Sequence, residues 1–132
     1  MCGIVGYIGP RPALDVLLGG LERLEYRGYD SVGVAIQTPE GLAVRKVVGR
    51  VPQLRCRIDA ARLEGGCGVG HTRWATHGAP SDRNAHPHSD CSGAVAVVHN
   101  GTIENFDALL AGLEERGHDI RSETDTEVVA HL

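Results

Sequence analysis

The chain has 132 residues, of which 42% are hydrophobic, and this is enough apolar material to fill the core of one ordinary domain. Its formal net charge of -4 comes from 17 acidic and 13 basic residues that are spread along the chain. Because the basic residues do not cluster, nucleic acid is not an expected partner. No apolar stretch is long enough to span a bilayer and no leader pattern is visible, so we expect no membrane partner and a cytoplasmic location.

The first half of the chain alternates apolar strands with one amphipathic helix. Residues Met1–Gly9 form a short apolar run with three glycines, which is typical of a buried strand. Leucines at helical spacing predict a helix over Pro12–Glu25 that ends near Gly28. Alternating apolar residues over Ser31–Thr38, a turn with a proline, and a second apolar run over Leu42–Val48 predict a β-hairpin.

The middle of the chain is less regular. The sequence predicts a helix over Pro52–Leu63 and a strand over Cys67–Arg73. A polar stretch without a clear period predicts a long ordered loop over Ala75–Ser92. The β-prone run over Gly93–His99 then predicts a further strand.

Two helices are predicted towards the end of the chain. The first begins at Phe106 and ends at Gly117, and the second begins with a capping box formed by Thr124 and Glu127. Hairpin-linked strands mixed with helices favour an α+β fold with antiparallel pairing. The last helix reaches the end of the sequence after about two turns, so we expect a truncated domain.

The four cysteines predict no disulfide framework, because they form no C-x-x-C pair. Cys56, Cys67 and Cys91 are interpreted as small buried apolar side chains. Cys2 is different because it follows Met1 directly. Removal of Met1 would free the α-amine of Cys2, whose ordinary pKa of about 8 suits a base that takes the thiol proton. A cysteine buried in the first strand is the alternative.

Asn100-Gly101 also has two interpretations. The pair is the strongest short signal for a hairpin turn, and this interpretation is the simpler one. Near a nucleophile, the asparagine amide and the glycine N–H could instead form an oxyanion hole.

Residues 70–78 contain an arginine, a tryptophan, two threonines and two histidines, and so many polar and aromatic side chains are unusual for an ordinary loop. Arg73 could bind a carboxylate through two hydrogen bonds, and Asp125 could bind an ammonium group. Seven histidines raise the possibility of a metal site, especially His86 and His88 with His71, His77 or His99. The spacing of these residues does not support one, so we predict no metal.

Six segments, in this order, are shared with one enzyme family. They are MCGIVGYIG (1–9), LEYRGYDSVG (24–33), GHTRWATHG (70–78), NAHPHS (84–89), VVHNGTIEN (97–105) and SETDTEV (122–128). Over its whole length the chain resembles the glutaminase domain of the glutamine-fructose-6-phosphate aminotransferase (isomerizing) family, a branch of the class II glutamine amidotransferases. Residues 26–31 and 72–78 resemble this branch more than the purine and asparagine branches.

The resemblance implies a reaction and its catalytic residues. Cys2 would attack the side-chain amide carbon of L-glutamine, form a γ-glutamyl thioester and release ammonia, and water would then release glutamate. Asn100 and Gly101 correspond to the oxyanion-hole pair of the family. Arg27 and Gly28 correspond to residues that support the N-terminal site.

The resemblance also implies which residues bind glutamine. Arg73 corresponds to the residue that binds the α-carboxylate, and Asp125 to the residue that binds the α-amine. Trp74, Thr76 and His77 belong to a mobile loop that closes over glutamine. The resemblance implies no cofactor.

The family has the N-terminal nucleophile hydrolase fold, in which helices flank two antiparallel sheets (αββα). Residues 1–132 would be an incomplete glutaminase domain, and turnover by this piece alone is not implied. In the family, sugar-isomerase domains, absent here, bind fructose 6-phosphate, receive the ammonia and form glucosamine 6-phosphate. The parent enzyme is expected to be a homodimer.

Two alternative functions remain open on the sequence. The first is the glutaminase domain of another class II amidotransferase, from the purine or asparagine branch. The second is a non-catalytic, His-rich binding domain in which Cys2 is merely buried.

Overall fold

The structure is a computed structural model, and it describes residues 1–59, 63–76 and 78–132. The helices and strands of the described residues are, in chain order, β1 (Gly3–Ile8), α1 (Ala13–Leu24), β2 (Ser31–Thr38), β3 (Gly41–Val48), α2 (Val51–Arg57), β4 (Cys67–Arg73), β5 (His88–Ser89), β6 (Ala96–Val97), α3 (Phe106–Glu115) and α4 (Glu127–His131).

Four strands form an antiparallel sheet in the order β1-β4-β2-β3. The predicted hairpin joins β2 to β3 with Thr38 opposite Gly41, whose positive φ of 125° suits a glycine. Strand β4 lies between β1 and β2, and its end pairs Thr72 with Gly3 and Arg73 with Ser31. This register brings the start of the chain to the end of β4.

Helix α1 covers one face of this sheet. Its leucines at positions 14, 17, 18 and 21 are buried against valine and isoleucine side chains of β2. Leu54 of α2 and Leu63 complete the same apolar cluster. Because the apolar side chains of the helix recur at helical spacing, one face meets the sheet while Asp15 and Glu22 stay exposed.

The irregular segment 83–87 packs on β2 and β3. Lys46 of β3 donates hydrogen bonds from Nζ to the carbonyls of Arg83, Ala85 and Pro87, at 3.2, 2.8 and 3.1 Å. Gly33 of β2 allows the close approach, because a Cβ at this position would lie 2.2 Å from the carbonyl oxygen of His86. The main chain of the segment therefore rests directly on the sheet.

We call β1 to β4 with α1 and α2 the sheet region, and residues 74–76 and 78–132 the loop region. The loop region contains the two-stranded sheet of β5 and β6, the helix α3, and the helix α4, which contacts both of these short strands. Helix α1 thus packs on the four-stranded sheet, and helix α4 packs on the two-stranded sheet. No helix of the described residues is long and apolar enough to cross a membrane.

Most predicted elements of the sheet region are confirmed, with boundaries that shift by one or two residues. The second helix is shorter than Pro52–Leu63, since it ends at Arg57, and residues 60–62 lie outside the described residues. The prediction that Cys56, Cys67 and Cys91 are buried is wrong, because all three are exposed. Cys56 lies on the outer face of α2, whose buried side chains are those of Val51 and Leu54.

The loop region differs more from prediction. Only Ala96–Val97 of the predicted strand Gly93–His99 pairs as a strand. The carboxylate of Asp90 accepts the N–H groups of Ser92 and Val95, and Gly93 has a φ of 73°, so this segment is folded into a turn. The Asn100-Gly101 pair does not join two strands of the described residues, so the hairpin interpretation is wrong.

The predicted capping box at the last helix is also wrong. Helix α4 begins at Glu127, with Thr126 as its N-cap. The Glu127 carboxylate accepts the N–H groups of Arg121 and Ser122, at 2.8 and 2.6 Å. The Thr124 hydroxyl lies 2.8 Å from Nε2 of His88, so both side chains have other partners.

Candidate active site

A cavity of about 310 Å³ lies where the start of β1, the end of β4 and the loop region meet. Its size is at the lower end of the range for small-molecule sites. The cavity is lined by Met1, Cys2, Arg27, Arg73, Trp74, Thr76, His86, His99, Asn100, Gly101, Thr102, Thr124, Asp125 and Thr126. All the catalytic and substrate-binding residues suggested by the sequence line it except Gly28 and His77, and His77 lies outside the described residues.

Cys2 is partly exposed and its thiol faces the main chain at the end of β4. The N–H of Trp74 donates to Sγ at 3.2 Å, and Sγ lies 3.5 Å from the Trp74 carbonyl oxygen. An N–H donated to sulfur stabilises negative charge that develops there. Met1 also lines the cavity, so it occupies space beside the thiol.

Arg27 and Gly28 support Cys2 in different ways. Arg27 donates from Nε to the carbonyl oxygen of Cys2 at 3.2 Å. Gly28 is buried against the main chain of β4, where a Cβ would lie 2.7 Å from the carbonyl carbon of Arg73 and 2.9 Å from the nitrogen of Trp74. Any side chain at position 28 would displace the segment that carries the N–H donor to the thiol.

Asn100 is oriented by two neighbours. Its Nδ2 donates to the carbonyl oxygen of Cys2 at 3.2 Å, and its Oδ1 lies 2.8 Å from Nε2 of His71. The same Nε2 lies 3.2 Å from the carbonyl oxygen of His99. Since both partners are acceptors, His71 carries its proton on Nε2. This tautomer directs the amide nitrogen of Asn100 towards Cys2.

Two buried side chains give the cavity opposite fixed charges. Arg73 is buried and donates from Nη2 to the carbonyl oxygen of Gly78 at 3.1 Å. Asp125 is also buried, and its Oδ2 accepts the N–H of Ile103 at 2.7 Å. Opposite charges in one small cavity suit a zwitterion such as a free amino acid.

Trp74 and Thr76 are exposed at the mouth of the cavity. The segment that carries them is anchored by Asp30, whose Oδ2 accepts the N–H of Ala75 and whose Oδ1 accepts the Ser31 hydroxyl at 2.9 Å. The indole of Trp74 also meets the ring of Tyr29 edge to face, with centroids 5.4 Å apart. Both anchors come from the connection between α1 and β2.

Three buried histidines lie beside the cavity, and one of them, His86, lines it. The rings of His71 and His86 are stacked at 4.1 Å between centroids, and His86 meets His88 at 4.6 Å. Burial lowers the pKa of His71 to about 4 and that of His88 to about 3. The pKa of His86 is lowered further, by burial and by the neighbouring His71. All three rings are therefore neutral at pH 7.

The residues that position the side chains of this cavity could not be predicted from the sequence. Asp30 and His71 stand inside segments that carry the family resemblance, but no pattern indicated that one anchors Ala75 and the other orients Asn100. Lys46 was also missed, because its partners are main-chain carbonyls, which the sequence does not single out.

Comparison with known proteins identifies similar chains. Residues 59–132 match the model of a family described as glutamine amidotransferase domain. Over 132 residues, the chain is 61% identical to a glutamine–fructose-6-phosphate aminotransferase (isomerizing) of Thermus thermophilus, and 57% identical to one of Pyrococcus horikoshii. A Streptomyces coelicolor protein of the same name is 62% identical over 133 residues. The matches cover 100% of this chain, which spans about 22% of the length of these relatives.

Solved structures resemble this one over 100% of the chain. A glutamine phosphoribosylpyrophosphate amidotransferase from B. subtilis, complexed with ADP and GMP, is 29% identical with a TM-score of 0.82. A structure described as the allosteric regulatory enzyme of purine biosynthesis is 30% identical with a TM-score of 0.83. The chain covers 29% of each of those chains. The prediction of an α+β fold of the N-terminal nucleophile hydrolase type is confirmed.

Proposed function

Because the chain belongs to the glutamine amidotransferase family, we propose that its cavity binds L-glutamine and hydrolyses the side-chain amide through Cys2. The observation that supports this most directly is one cavity lined by a thiol, an asparagine amide, a buried arginine and a buried aspartate. These groups match the reacting amide and the two charged ends of the substrate.

The first step requires Cys2 to be the N-terminal residue. With Met1 removed, the α-amine takes the thiol proton and Sγ attacks the amide carbon of glutamine. The S–C bond forms, the C–N bond then breaks, and the amine returns the proton to the departing ammonia. Water hydrolyses the thioester and releases glutamate. Arg27 and Asn100, which both bind the Cys2 carbonyl, hold this residue in place.

The tetrahedral intermediate carries a negative oxygen that needs donors. We assign this role to Nδ2 of Asn100 and the N–H of Gly101. Gly101 has a φ of 149°, and a Cβ there would lie 2.9 Å from Nε2 of His99, so a glycine fits best. Loss of one such donor lowers kcat by about 100- to 1,000-fold in other enzymes, and we expect this for Asn100→Ala.

Selection of the substrate depends on the two charged groups of glutamine. Arg73 binds the α-carboxylate, Asp125 binds the α-ammonium group, and the segment with Trp74, Thr76 and His77 closes over glutamine. Gly28 keeps the chain close enough for Trp74 to donate to the thiol. Arg73→Lys would keep the charge but lose the planar pair of donors, so we expect a higher KM with a smaller change in kcat.

A covalent probe tests this proposal directly. A glutamine analogue with an electrophilic diazoketone in place of the amide should alkylate Cys2 in the chain that lacks Met1, and intact mass verifies both the N-terminus and the adduct. Cys2→Ala should give no adduct, whereas Cys56→Ser, at an exposed cysteine of α2, should react normally. Labelling that glutamine does not slow, or that falls equally on Cys56, would reject the proposed site.

The acceptor of the ammonia is a separate proposal. The identity of 57–62% with aminotransferases of fructose 6-phosphate, against 29–30% with the purine enzymes, supports the first branch. We therefore propose that residues 1–132 are part of a glutaminase domain in a homodimeric cytoplasmic protein. Its sugar-isomerase domains would convert fructose 6-phosphate and glutamine to glucosamine 6-phosphate and glutamate.

This second proposal is tested on the product of the whole gene. Fructose 6-phosphate should yield glucosamine 6-phosphate with one glutamate per sugar, measured by mass spectrometry. Glutamate formation without amino sugar, or its stimulation by phosphoribosyl pyrophosphate or aspartate instead, would favour another acceptor and leave the glutaminase proposal intact.

A further inference from the structure

Three potential metal ligands converge in the loop region, away from the residues that line the cavity. Sγ of Cys91, in the turn before β6, lies 3.7 Å from Nδ1 of His118 and 3.4 Å from Nδ1 of His131. The two Nδ1 atoms are 3.3 Å apart. His118 follows α3 and His131 lies in α4, so three separate segments supply the ligands. Among the described residues, this group alone has the composition and spacing for an ion.

The three distances match those of a tetrahedral zinc site. With Zn–N bonds of about 2.0–2.1 Å and a Zn–S bond of about 2.3 Å, tetrahedral geometry separates two nitrogen ligands by about 3.3 Å. The same bond lengths separate nitrogen from sulfur by about 3.6 Å. One thiolate with two imidazoles also favours Zn²⁺ over the hard cations, which prefer oxygen.

Hydrogen bonding alone explains the three short distances among these atoms poorly. A hydrogen bond between two of these atoms accounts for one of the three contacts, whereas a cation at the centre contacts all three atoms. The ring planes of His118 and His131 lie at 87° with centroids 5.3 Å apart, which is an edge-to-face contact. Both rings turn the same nitrogen towards the sulfur of Cys91.

The outer contacts of the cluster fit a metal as well. A metal on Nδ1 of His131 places the ring proton on Nε2, and metal-bound histidines usually direct that proton to a carboxylate. Nε2 of His131 is buried and makes no hydrogen bond to the described residues, and the nearest carboxylate oxygen among them is Oε1 of the buried Glu127, at 3.6 Å. Glu127 is held in place by the N–H groups of Arg121 and Ser122. The N–H of Asp119 donates to Sγ of Cys91 at 3.4 Å, as it would to a thiolate.

We propose that Cys91, His118 and His131 bind one Zn²⁺ ion that ties α4 to the end of α3 and to the turn before β6. Cys91 is exposed, so the fourth position faces solvent and takes a water molecule or an outside ligand. Sequence spacing did not indicate the site, because its ligands are separated by 27 and 13 positions rather than by the short intervals of zinc motifs.

Cobalt titration of the metal-free, reduced chain tests this proposal without any assay of catalysis. One equivalent of Co²⁺ should give a thiolate-to-metal band in the near ultraviolet and the strong visible bands of four-coordination, and Zn²⁺ should displace it. Cys91→Ser should abolish the near-ultraviolet band. His118→Gln, at a half-buried position that tolerates change, should weaken binding by more than the 10- to 100-fold that loss of an outer contact costs.

Matched controls separate this site from other thiols. Cys56→Ser and Cys67→Ser alter exposed cysteines outside the cluster and should leave the cobalt spectrum and affinity unchanged. Circular dichroism verifies that each variant is folded. A full thiolate band in Cys91→Ser, its loss in Cys2→Ser, or unchanged affinity in His118→Gln would each overturn the proposal.

Discussion

In the sheet region, N–H groups pair with the carbonyls of neighbouring strands, whereas in the loop region many of them pair with side-chain carboxylates and amides. Asp90, Asp125 and Glu127 each accept at least one main-chain N–H, and Asn84 binds both the carbonyl of Ala79 and the N–H of Glu123. Hydrogen bonds between main-chain groups do not depend on the side chain, so residues that make only such bonds can vary. A hydrogen bond from a side chain requires a particular residue. A polar residue in the loop region can therefore be essential without any chemical role.

The largest expected effect is a loss of stability at low pH, and it comes from three histidines where the two regions meet. His71, His86 and His88 are neutral when folded, but an unfolded histidine has a pKa of about 6.5. Below that pH the unfolded chain binds protons that the folded chain does not, so stability falls as the pH falls. Each histidine contributes about 1.4 kcal/mol per pH unit, until about pH 4 for His71 and about pH 3 for His88.

Urea unfolding at pH 7, 6 and 5 measures this loss. For His71 and His88 we expect about 2 kcal/mol each between pH 6.5 and pH 5. His88→Gln keeps a hydrogen-bond partner for Thr124 but cannot be protonated. The free energy of unfolding of this variant should therefore depend less on pH, by the amount that one proton contributes. Equal stability at pH 7 and pH 5 would show that the three rings are not buried as described.

The next largest effect should come from a side chain placed between the two regions. Gly33→Ala would put a Cβ 2.2 Å from the carbonyl oxygen of His86 and 2.7 Å from Cβ of Lys46. We expect a loss of about 3 kcal/mol in the free energy of unfolding, as for severe overpacking. Gly6→Ala is the matched control in the same sheet, since its Cβ would meet nothing within 4 Å. A similar result for both variants would mean that the loop region does not rest on β2.

A smaller loss is expected when the lysine that holds the loop region is removed. Lys46→Met keeps most of the apolar stem but leaves the carbonyls of Arg83, Ala85 and Pro87 without their donor. Burial lowers the pKa of Lys46 to about 8, so the desolvation cost offsets part of the gain from these bonds. We expect a net loss of about 2 kcal/mol by urea unfolding.

Arg45→Met is the control for this change, because the Arg45 side chain donates to the carbonyl of its own neighbour Val44 and so does not hold the loop region. Hydrogen exchange adds a spatial readout. Lys46→Met should speed exchange in residues 83–90 while the β1–β4 pairing stays protected. Uniform loss of protection would contradict the separate stabilisation of the two regions.

The smallest effect should come from a surface ion pair within the sheet region. Arg55 of α2 meets Glu22 of α1 at 2.8 Å, and their side chains are 46% and 47% exposed. Solvent screens such a pair, so Glu22→Gln should change stability by less than about 0.5 kcal/mol. A loss above about 1 kcal/mol in thermal unfolding would show that this contact, rather than the leucines of α1, joins the two helices.

The same contrast explains what the sequence could predict. Periodic apolar residues located α1, the β2–β3 hairpin and β4 almost to the residue, because burial against one core sets both the period and the register. The run 93–99 looked like a strand, yet Asp90 and Gly93 turn it before a partner strand can pair. Local side-chain bonds of this kind compete with the ladder and leave no period.

The cavity shows a similar division. The resemblance suggested Cys2, Arg73, Asn100 and Asp125, and one cavity is lined by all of them. The orienting role of His71 could not be read in advance, since its contact with Asn100 spans 29 positions and depends on which nitrogen carries the proton. Local sequence patterns do not reveal contacts between residues so far apart in the chain.

The neutral ring of His71 makes the cavity observable in solution. Its Nε2 proton is buried between the Asn100 side chain and the carbonyl of His99, so it should exchange slowly and give its own downfield signal in a proton NMR spectrum. With a pKa of about 4, the ring stays in one protonation state across the neutral range. The chemical shift of that proton therefore follows the orientation of the Asn100 amide, as a built-in spectroscopic label that needs no substitution.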